Sequence, residues 1–335
     1  MPRDNPWMSK QTQEEMKTMK TTRQCMLTGM LVLMAVCAFA SPAAADSYLG
    51  GDPLVTANGT YGTVDGGLWF DAYPGFNFAY TTPVTKTFSL PFNSEDIDWA
   101  RLYVATYIGN MQENKPLNTT VEFDGTGLGN YKLLGSEIMN TTYTYPGLGG
   151  SGTVWINYHC NRVTSDCLMW YDVTDEIDSS NVTARVHTAH PDGSAPFDGR
   201  VKMITLVVAY NDGVGETIHY WVNQGHDISS YWDDNYIGTT TFNVGTALDG
   251  EEVGDADLTA IYLGSYNGNY TFEDTHLDWS NPKQGSYFGH QTWDVTGLID
   301  EESNNTLKFT RNGTQSGSYS GYFKIPLVLL TVEED

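Results

Sequence analysis

One tetrad in this chain occurs twice and limits the folds open to it. Tyr171-Asp172-Val173-Thr174 is followed by Ile177 and Asp178, and Trp293-Asp294-Val295-Thr296 by Ile299 and Asp300 at the same spacing. Downstream, Gly199 and Lys202 open one apolar run, and Gly321 and Lys324 open another. Each pair is offset by 122 residues. A solenoid repeats every ~20–50 residues, so this period implies two copies of a whole module packed as a pair. The tetrad has a plain structural reading. An aromatic residue ends a strand inside the core, Asp is placed to cap one helical turn, and Thr bonds the local backbone. Ile177 and Ile299 would then point back into the core.

After residue 45 no stretch reads as a long helix. Apolar residues alternate, and Gly, Asn, Asp and Pro punctuate the chain roughly every 8–12 residues, the pattern of a sandwich or barrel. Phe76, Phe78 and Tyr80 alternate in the entry region; Leu102 and Val104 share one face of a strand, Tyr103 and Ala105 the other. The expectation is an all-β protein, two tandem jelly-roll-like β-sandwich domains from an internal duplication. Residues 46–215 form the first, with N-terminal entry strands and a cysteine-loop insertion. Residues 216–335 carry an aromatic inter-repeat segment and the second. Leu277 stands 17 residues before Asp294 and Leu128 stands 44 before Asp172, so the first copy carries about 27 additional residues by this alignment.

Residues 1–45 read as an export signal. Lys17, Lys20 and Arg23 precede an apolar run from Met26 to Ala40, and Ala43-Ala44-Ala45 offers a cleavage site. The run is shorter than the ~20 residues of a spanning helix, so cleavage is expected rather than anchoring. Removing this segment takes five basic and three acidic side chains from totals of 17 and 41, leaving 12 against 38, a net charge of −26. Such a surface repels phosphate backbones and argues against nucleic acid as a partner. Cys160 and Cys167 are then the remaining cysteines, and in an exported chain they are expected to form a disulfide closing a short loop. Sequons at Asn58, Asn118, Asn140, Asn181, Asn269, Asn304 and Asn312 suit an exported glycoprotein. No later stretch is apolar for long enough to cross a bilayer, and the expected location is extracellular or cell-surface.

The Asp-Val-Thr element resembles the strand–turn of jelly-roll modules that bind galactose and related sugars, with Asn181 and Asn304 or Asn305 near the place where those modules carry an Asn. This likeness concerns a fold element. Over nearly the whole mature region the chain resembles a family of uncharacterised exported proteins of methanogenic archaea. The residues that carry the likeness are Gly50-Gly51-Asp52-Pro53-Leu54, Tyr220-Trp221-Val222-Asn223-Gln224-Gly225-His226-Asp227 and the two Asp-Val-Thr repeats. The resemblance implies a cell-surface or secreted protein and brings no activity with it.

Chemically, the segment between the repeats stands out. His219, Trp221, Asn223, Gln224, His226, Asp227 and Trp232 lie close together, with Tyr220 and Tyr231 among them. Aromatic rings beside amides are a means of stacking on sugar rings and reading their hydroxyls. The same composition serves an inter-domain seam, in which Asn and His satisfy buried backbone. Both readings stand at this point. Asp233, Asp234, Asp255 and Asp257 could ligate a structural calcium with turn carbonyls, although no EF-hand pattern is present. Gly-x-Ser-x-Gly and His-Glu-x-x-His are both absent. Three functions follow in order: a non-catalytic structural or adhesive envelope protein, a carbohydrate-binding protein for envelope or extracellular polysaccharide, and a secreted glycan hydrolase. Partners would be envelope glycans, other surface proteins or further copies of the chain.

Overall fold

The computed structural model describes residues 51–109, 116–139, 153–191, 198–213, 215–229, 237–248, 251–264, 268–277, 284–311 and 323–335. The expected export signal lies outside the described residues. Residues 46–335 form one compact unit.

Strands dominate it, as the alternating pattern requires. The first half of the chain supplies β1 (Asp52–Tyr73), β2 (Asn77–Phe78), β3 (Val84–Ser89), β4 (Ile97–Tyr107), β5 (Leu117–Asp124), β6 (Lys132–Met139), β7 (Thr153–Asn157), β8 (Cys160–Val163), β9 (Asp166–Asp172), β10 (Asn181–Ala189) and β11 (Arg200–Asn211). The second half supplies β12 (Thr217–Ser229), β13 (Ile237–Phe242), β14 (Val253–Leu263), β15 (Gly268–Phe272), β16 (Thr275–His276), β17 (Phe288–Asp294), β18 (Asn305–Arg311) and β19 (Phe323–Glu334). A single α-helix, Val244–Leu248, accompanies them among the described residues.

A large sheet runs in the order β17-β14-β19-β12-β1-β11-β4-β9-β8-β7, and two four-stranded sheets run β3-β10-β5-β6 and β13-β18-β15-β16. Each small sheet closes a sandwich over one half of the large sheet. Phe88, Val121, Phe123, Val182 and Val186 meet Leu102, Val104, Met169 and Leu206 in the first core. Phe242, Tyr270, Phe272, Leu307 and Phe309 meet Trp221, Leu258, Val328 and Leu330 in the second. A third core lies between the opposite faces of the two half-sheets, where Trp99, Tyr103, Ala105 and Val207 face Tyr220, Val222, Ile261 and Leu329. Leu102 and Val104 thus serve one core while Tyr103 and Ala105 serve another, as alternation predicts. Strands β4 and β11 are buried on both faces, and this is why they read as near-continuous apolar runs.

β1 belongs to both halves. It pairs with β12 as far as Asp65 and with β11 from Gly66 onward. Leu54 enters the second core, Val64 the third, and Trp69 packs on the first. The change of partner falls on Gly66, where a Cβ would come within 2.4 Å of the Tyr210 carbonyl oxygen. The segment 216–335 therefore completes its sheet with the first stretch of the entry region.

The two Asp-Val-Thr elements make matching bonds. Asp172 Oδ1 accepts from the Thr174 N–H at 3.1 Å and Asp294 Oδ1 from the Thr296 N–H at 3.0 Å. Thr174 Oγ1 accepts from the Ala100 N–H and Thr296 Oγ1 from the Ala256 N–H, both at 2.9 Å. A 3₁₀ turn follows each. Val173 and Val295 anchor the first and second cores, and Ile177 and Ile299 point inward.

The expected disulfide is not formed; Cys160 and Cys167 are both buried without one. The hairpin register explains this. Cys160 stands opposite Met169 and Cys167 opposite Arg162, so the thiols share a face but sit two residues out of register. Diagonal neighbours on a ladder stand farther apart than a disulfide allows. Burial, and then the nearby Glu137 carboxylate, push the Cys160 thiol up and keep it protonated.

Candidate functional site

The segment that stood out in sequence is β12, and the fold places it at the centre of the large sheet. His219, Trp221, Asn223, Gln224, His226 and Asp227 are all buried. Trp221 enters the second core and donates from Nε1 to Asn243 Oδ1 at 2.9 Å. His219 lies between Thr63 and Glu334. Asn223 Nδ2 donates to Thr240 Oγ1 at 2.7 Å and to the Thr241 carbonyl at 3.0 Å. Gln224 Oε1 accepts from Arg101 Nη1 at 2.7 Å and from the Tyr103 hydroxyl at 3.0 Å. Along this one strand Trp221 and Asn223 serve the second sandwich, while Gln224 and His226 reach across to Arg101, Tyr103 and Asn161 of the first half. Tyr231, Trp232, Asp233 and Asp234 lie outside the described residues.

At the end of β12 the polar stitching becomes ionic. Asp166 begins β9, directly after a two-residue turn in which Thr164 takes a φ of 54°. A β-branched residue rarely adopts that conformation. The turn is pinned from several sides: Arg162 Nε donates to the Thr164 carbonyl at 2.9 Å, and Lys324 Nζ contacts Thr164 Oγ1 at 3.3 Å. Asp166 Oδ1 accepts from Lys202 Nζ at 2.7 Å, and Asp166 Oδ2 accepts from Lys324 Nζ. The two lysines that sequence pairs at a fixed offset thus converge on one carboxylate. His226 Nδ1 donates to Asn161 Oδ1 at 3.1 Å, and Asn161 Nδ2 donates to Asp52 Oδ2 at 2.8 Å. Burial alone would raise the Asp166 carboxyl, but Lys202 and Lys324 hold it well below the usual range. Burial, reinforced by the two ammoniums, takes His226 down to about 3. Burial lowers Lys324 to about 8 against the pull of Asp166, and burial raises Asp52 to about 6.

Lys202 connects this interior to the surface. Its Nζ lies 4.6 Å from the Tyr107 ring centroid, 5.4 Å from Tyr287 and 5.8 Å from Phe76. Phe76 in turn packs on Tyr287 at 4.3 Å. The Arg200 guanidinium stands 4.5 Å from the Phe76 ring and 4.3 Å from Phe78, and Phe78 meets Tyr80 at 5.3 Å. The result is a row, Tyr80–Phe78–Arg200–Phe76–Tyr287, with Tyr80, Phe78 and Tyr287 exposed at 44%, 45% and 38%. Hydrogen-bonding groups border it: the Asp198 carboxylate 2.9 Å from Arg200 Nε, and exposed Asn77 beside the Tyr73 hydroxyl. The row joins residues far apart in sequence because the segment carrying Tyr287 lies against Pro74. Gly285 permits that approach, since a Cβ there would fall 1.6 Å from the Pro74 carbonyl oxygen. The alternation of Phe76, Phe78 and Tyr80 was visible in sequence, but not that Phe78 and Tyr80 stay exposed.

Other candidates are placed differently. Asp255 and Asp257 are exposed and line a cavity of about 280 Å³ with Gly66, Gly67 and Glu333. Burial, then Asp294 and Asp255, raise Asp257. Among the described residues no group of three or more His, Cys, Asp or Glu is arranged to hold a metal ion. On the first sandwich, Glu137 accepts from His159 Nε2 at 2.9 Å, the Tyr171 hydroxyl at 3.2 Å and Asn157 Nδ2 at 2.6 Å. Of the sequons, Asn181 and Asn304 are exposed and Asn118 and Asn269 half-buried. Asn58 lies on β1; Asn140 and Asn312 lie outside the described residues.

Fold and site together define a four-layer all-β protein, two sandwiches back to back with a polar seam and an aromatic–arginine row across it. The chain belongs to the family described as "Protein of unknown function (DUF3344)", whose model matches residues 47–333. Nothing matches among curated proteins. Similar solved structures include PNGase F, a glycosylasparaginase from Flavobacterium meningosepticum, at 9% identity over 80% of this chain and 96% of that one, with a TM-score of 0.29. The ANX2 ectodomain from Arabidopsis thaliana matches at 9% identity over 76% and 82%, with a TM-score of 0.25. The tandem CBM22 domain of Paenibacillus barcinonensis Xyn10C matches at 10% identity over 86% and 98%, with a TM-score of 0.22. No helix among the described residues is long and apolar enough to cross a membrane.

Proposed function

We propose that this chain is an exported, non-catalytic adhesive protein of the cell envelope that holds carbohydrate on its aromatic–arginine row. The observation that carries the reading is the exposure of Tyr80, Phe78 and Tyr287 in line with Arg200. Flat rings cover the C–H faces of sugars, and a guanidinium, a carboxylate and an amide beside them can pair with hydroxyls. The row replaces β12 as the place where sugar would bind, because the candidate side chains of β12 are buried. The matched strand order of the two halves supports reading them as copies of one module, and the signal-like first 45 residues support export. The hydrolase reading draws less support: the Glu137–His159 contact belongs to a network that already engages both carboxylate oxygens.

The test is calorimetric titration with envelope polysaccharide, after a glycan array has identified a bound oligosaccharide. Phe78→Ala combined with Tyr287→Ala is expected to weaken binding at least roughly tenfold, or ~1.4 kcal/mol, with little change in the unfolding midpoint. Failure to bind any glycan, or equal binding by the double variant, would reject this role for the row.

A further inference from the structure

The buried ionic cluster contains what an amide condensation requires. Lys324 and Asp166 lie 158 residues apart in sequence, and Lys324 Nζ sits on Oδ2 of a carboxylate that is 0% exposed. Lys202 Nζ donates to both oxygens, Oδ1 at 2.7 Å and Oδ2 at 3.0 Å. His226 is equally buried, and its Nε2 has no hydrogen-bond partner. We propose that Lys324 and Asp166 join in an intramolecular isopeptide bond that clamps the β8–β9 hairpin to β19.

In the reaction Lys324 Nζ attacks Asp166 Cγ, the C–N bond forms, and the Cγ–Oδ2 bond breaks. Of the three ammonium protons, one stays on the amide nitrogen and two leave with Oδ2 as water. An ammonium and a carboxylate become a neutral secondary amide plus water, and no oxidant or other reactant is consumed. The side chains divide the work. Lys202 spans both oxygens and is nearer Oδ1, where negative charge develops as the nitrogen adds, and a donor already in place there stabilises it without reorganisation. The rings of Tyr107, Tyr287 and Phe76 surround Lys202 and attract its ammonium. His226, neutral because it is buried and beside two ammoniums, adds no further positive charge to the cluster. Lys324 is the nucleophile because burial, with Lys202 nearby, shifts it toward the free amine. The fold supplies proximity by holding amine and carboxyl in contact.

The bond would tie the first half of the chain to its last strand and so restrict the unfolded ensemble. Peptide mapping of the full chain after denaturation and proteolysis tests it. The expected result is a branched peptide joining the segments around Asp166 and Lys324, lighter by one water than the two linear peptides and missing from Lys324→Arg. Recovery of both segments as linear peptides of full mass from folded wild-type protein overturns the proposal. So does a water loss confined to the Asp166 peptide, which marks a succinimide, or a branch to Lys202 in place of Lys324. The wild-type map decides the matter even where a variant fails to fold. Where Lys324→Arg does fold, its thermal midpoint is expected below that of the wild type.

Discussion

Replacing Thr174 or Thr296 with Val tests how the twin elements hold the sandwiches. Val matches Thr in shape, so neither change opens a cavity, and the loss reduces to the hydroxyl's hydrogen bonds: the one it accepts, and the one it donates, to the Ala100 carbonyl from Thr174 and to Asp294 Oδ1 from Thr296. In the wild type Thr174 Oγ1 accepts from the Ala100 N–H, and Thr296 Oγ1 from the Ala256 N–H. Both alanines are buried. Removing the acceptor leaves each N–H without a partner, at about 1–3 kcal/mol apiece. The elements anchor different cores, through Val173 in the first and Val295 in the second. Their effects should therefore add, giving roughly 2–6 kcal/mol for the double variant with deviations under ~0.5 kcal/mol. Urea unfolding followed by tryptophan fluorescence measures this, as lower midpoints at an unchanged slope. The reasoning fails if both single variants lose less than ~0.5 kcal/mol, because the alanine N–H groups must then find another acceptor. A coupling well above ~0.5 kcal/mol would instead show that the two elements share a partner.

Two further perturbations probe the site and the seam. Gly285→Ala puts a methyl group where the Pro74 carbonyl oxygen stands 1.6 Å away; the segment bearing Tyr287 should be displaced and glycan affinity lost with only a modest fall in the unfolding midpoint. An unchanged affinity would remove Tyr287 from the row. His226 has a sharper signature, since its folded-state value of about 3 lies below the ordinary 6.5. Between those values the unfolded chain binds a proton that the folded chain refuses. The contribution of His226 is therefore complete above about pH 6.5 and falls as pH drops toward 3, by up to ~1.4 kcal/mol per pH unit. From pH 7 to pH 4 the wild type should lose on the order of 3 kcal/mol more stability than His226→Gln; parallel pH profiles would refute this.

Much of the fold was legible in the linear chain because strand periodicity is a local property. Alternation at Leu102–Ala105 sorted the side chains onto two faces of the strand, and the spacing of the Asp-Val-Thr elements marked where a strand ends and a capped turn begins. Matching residues made matching bonds because the capping oxygen lies two residues from the N–H it accepts, well within reach of sequence reasoning. The site was not legible in the same way. β12 offered aromatic rings, amides and histidines in close succession, but a ring is a platform only if nothing covers it. Coverage was decided by β1 and β19 on either side and by cores above and below. The disulfide expectation rested on compartment and short spacing; the hairpin register, set by cross-strand pairing, kept Cys160 and Cys167 apart.

The sequence by itself determined the strands, their turns and the two capped elements, since these follow from periodicity and short-range hydrogen bonding. The tertiary structure alone decided that β1 would serve both sandwiches, that Phe78, Tyr80 and Tyr287 would share one exposed row, and that Lys202 and Lys324 would meet on Asp166. These are contacts between segments far apart in the chain, fixed by sheet order and close backbone approach at Gly66 and Gly285. No local pattern encodes them.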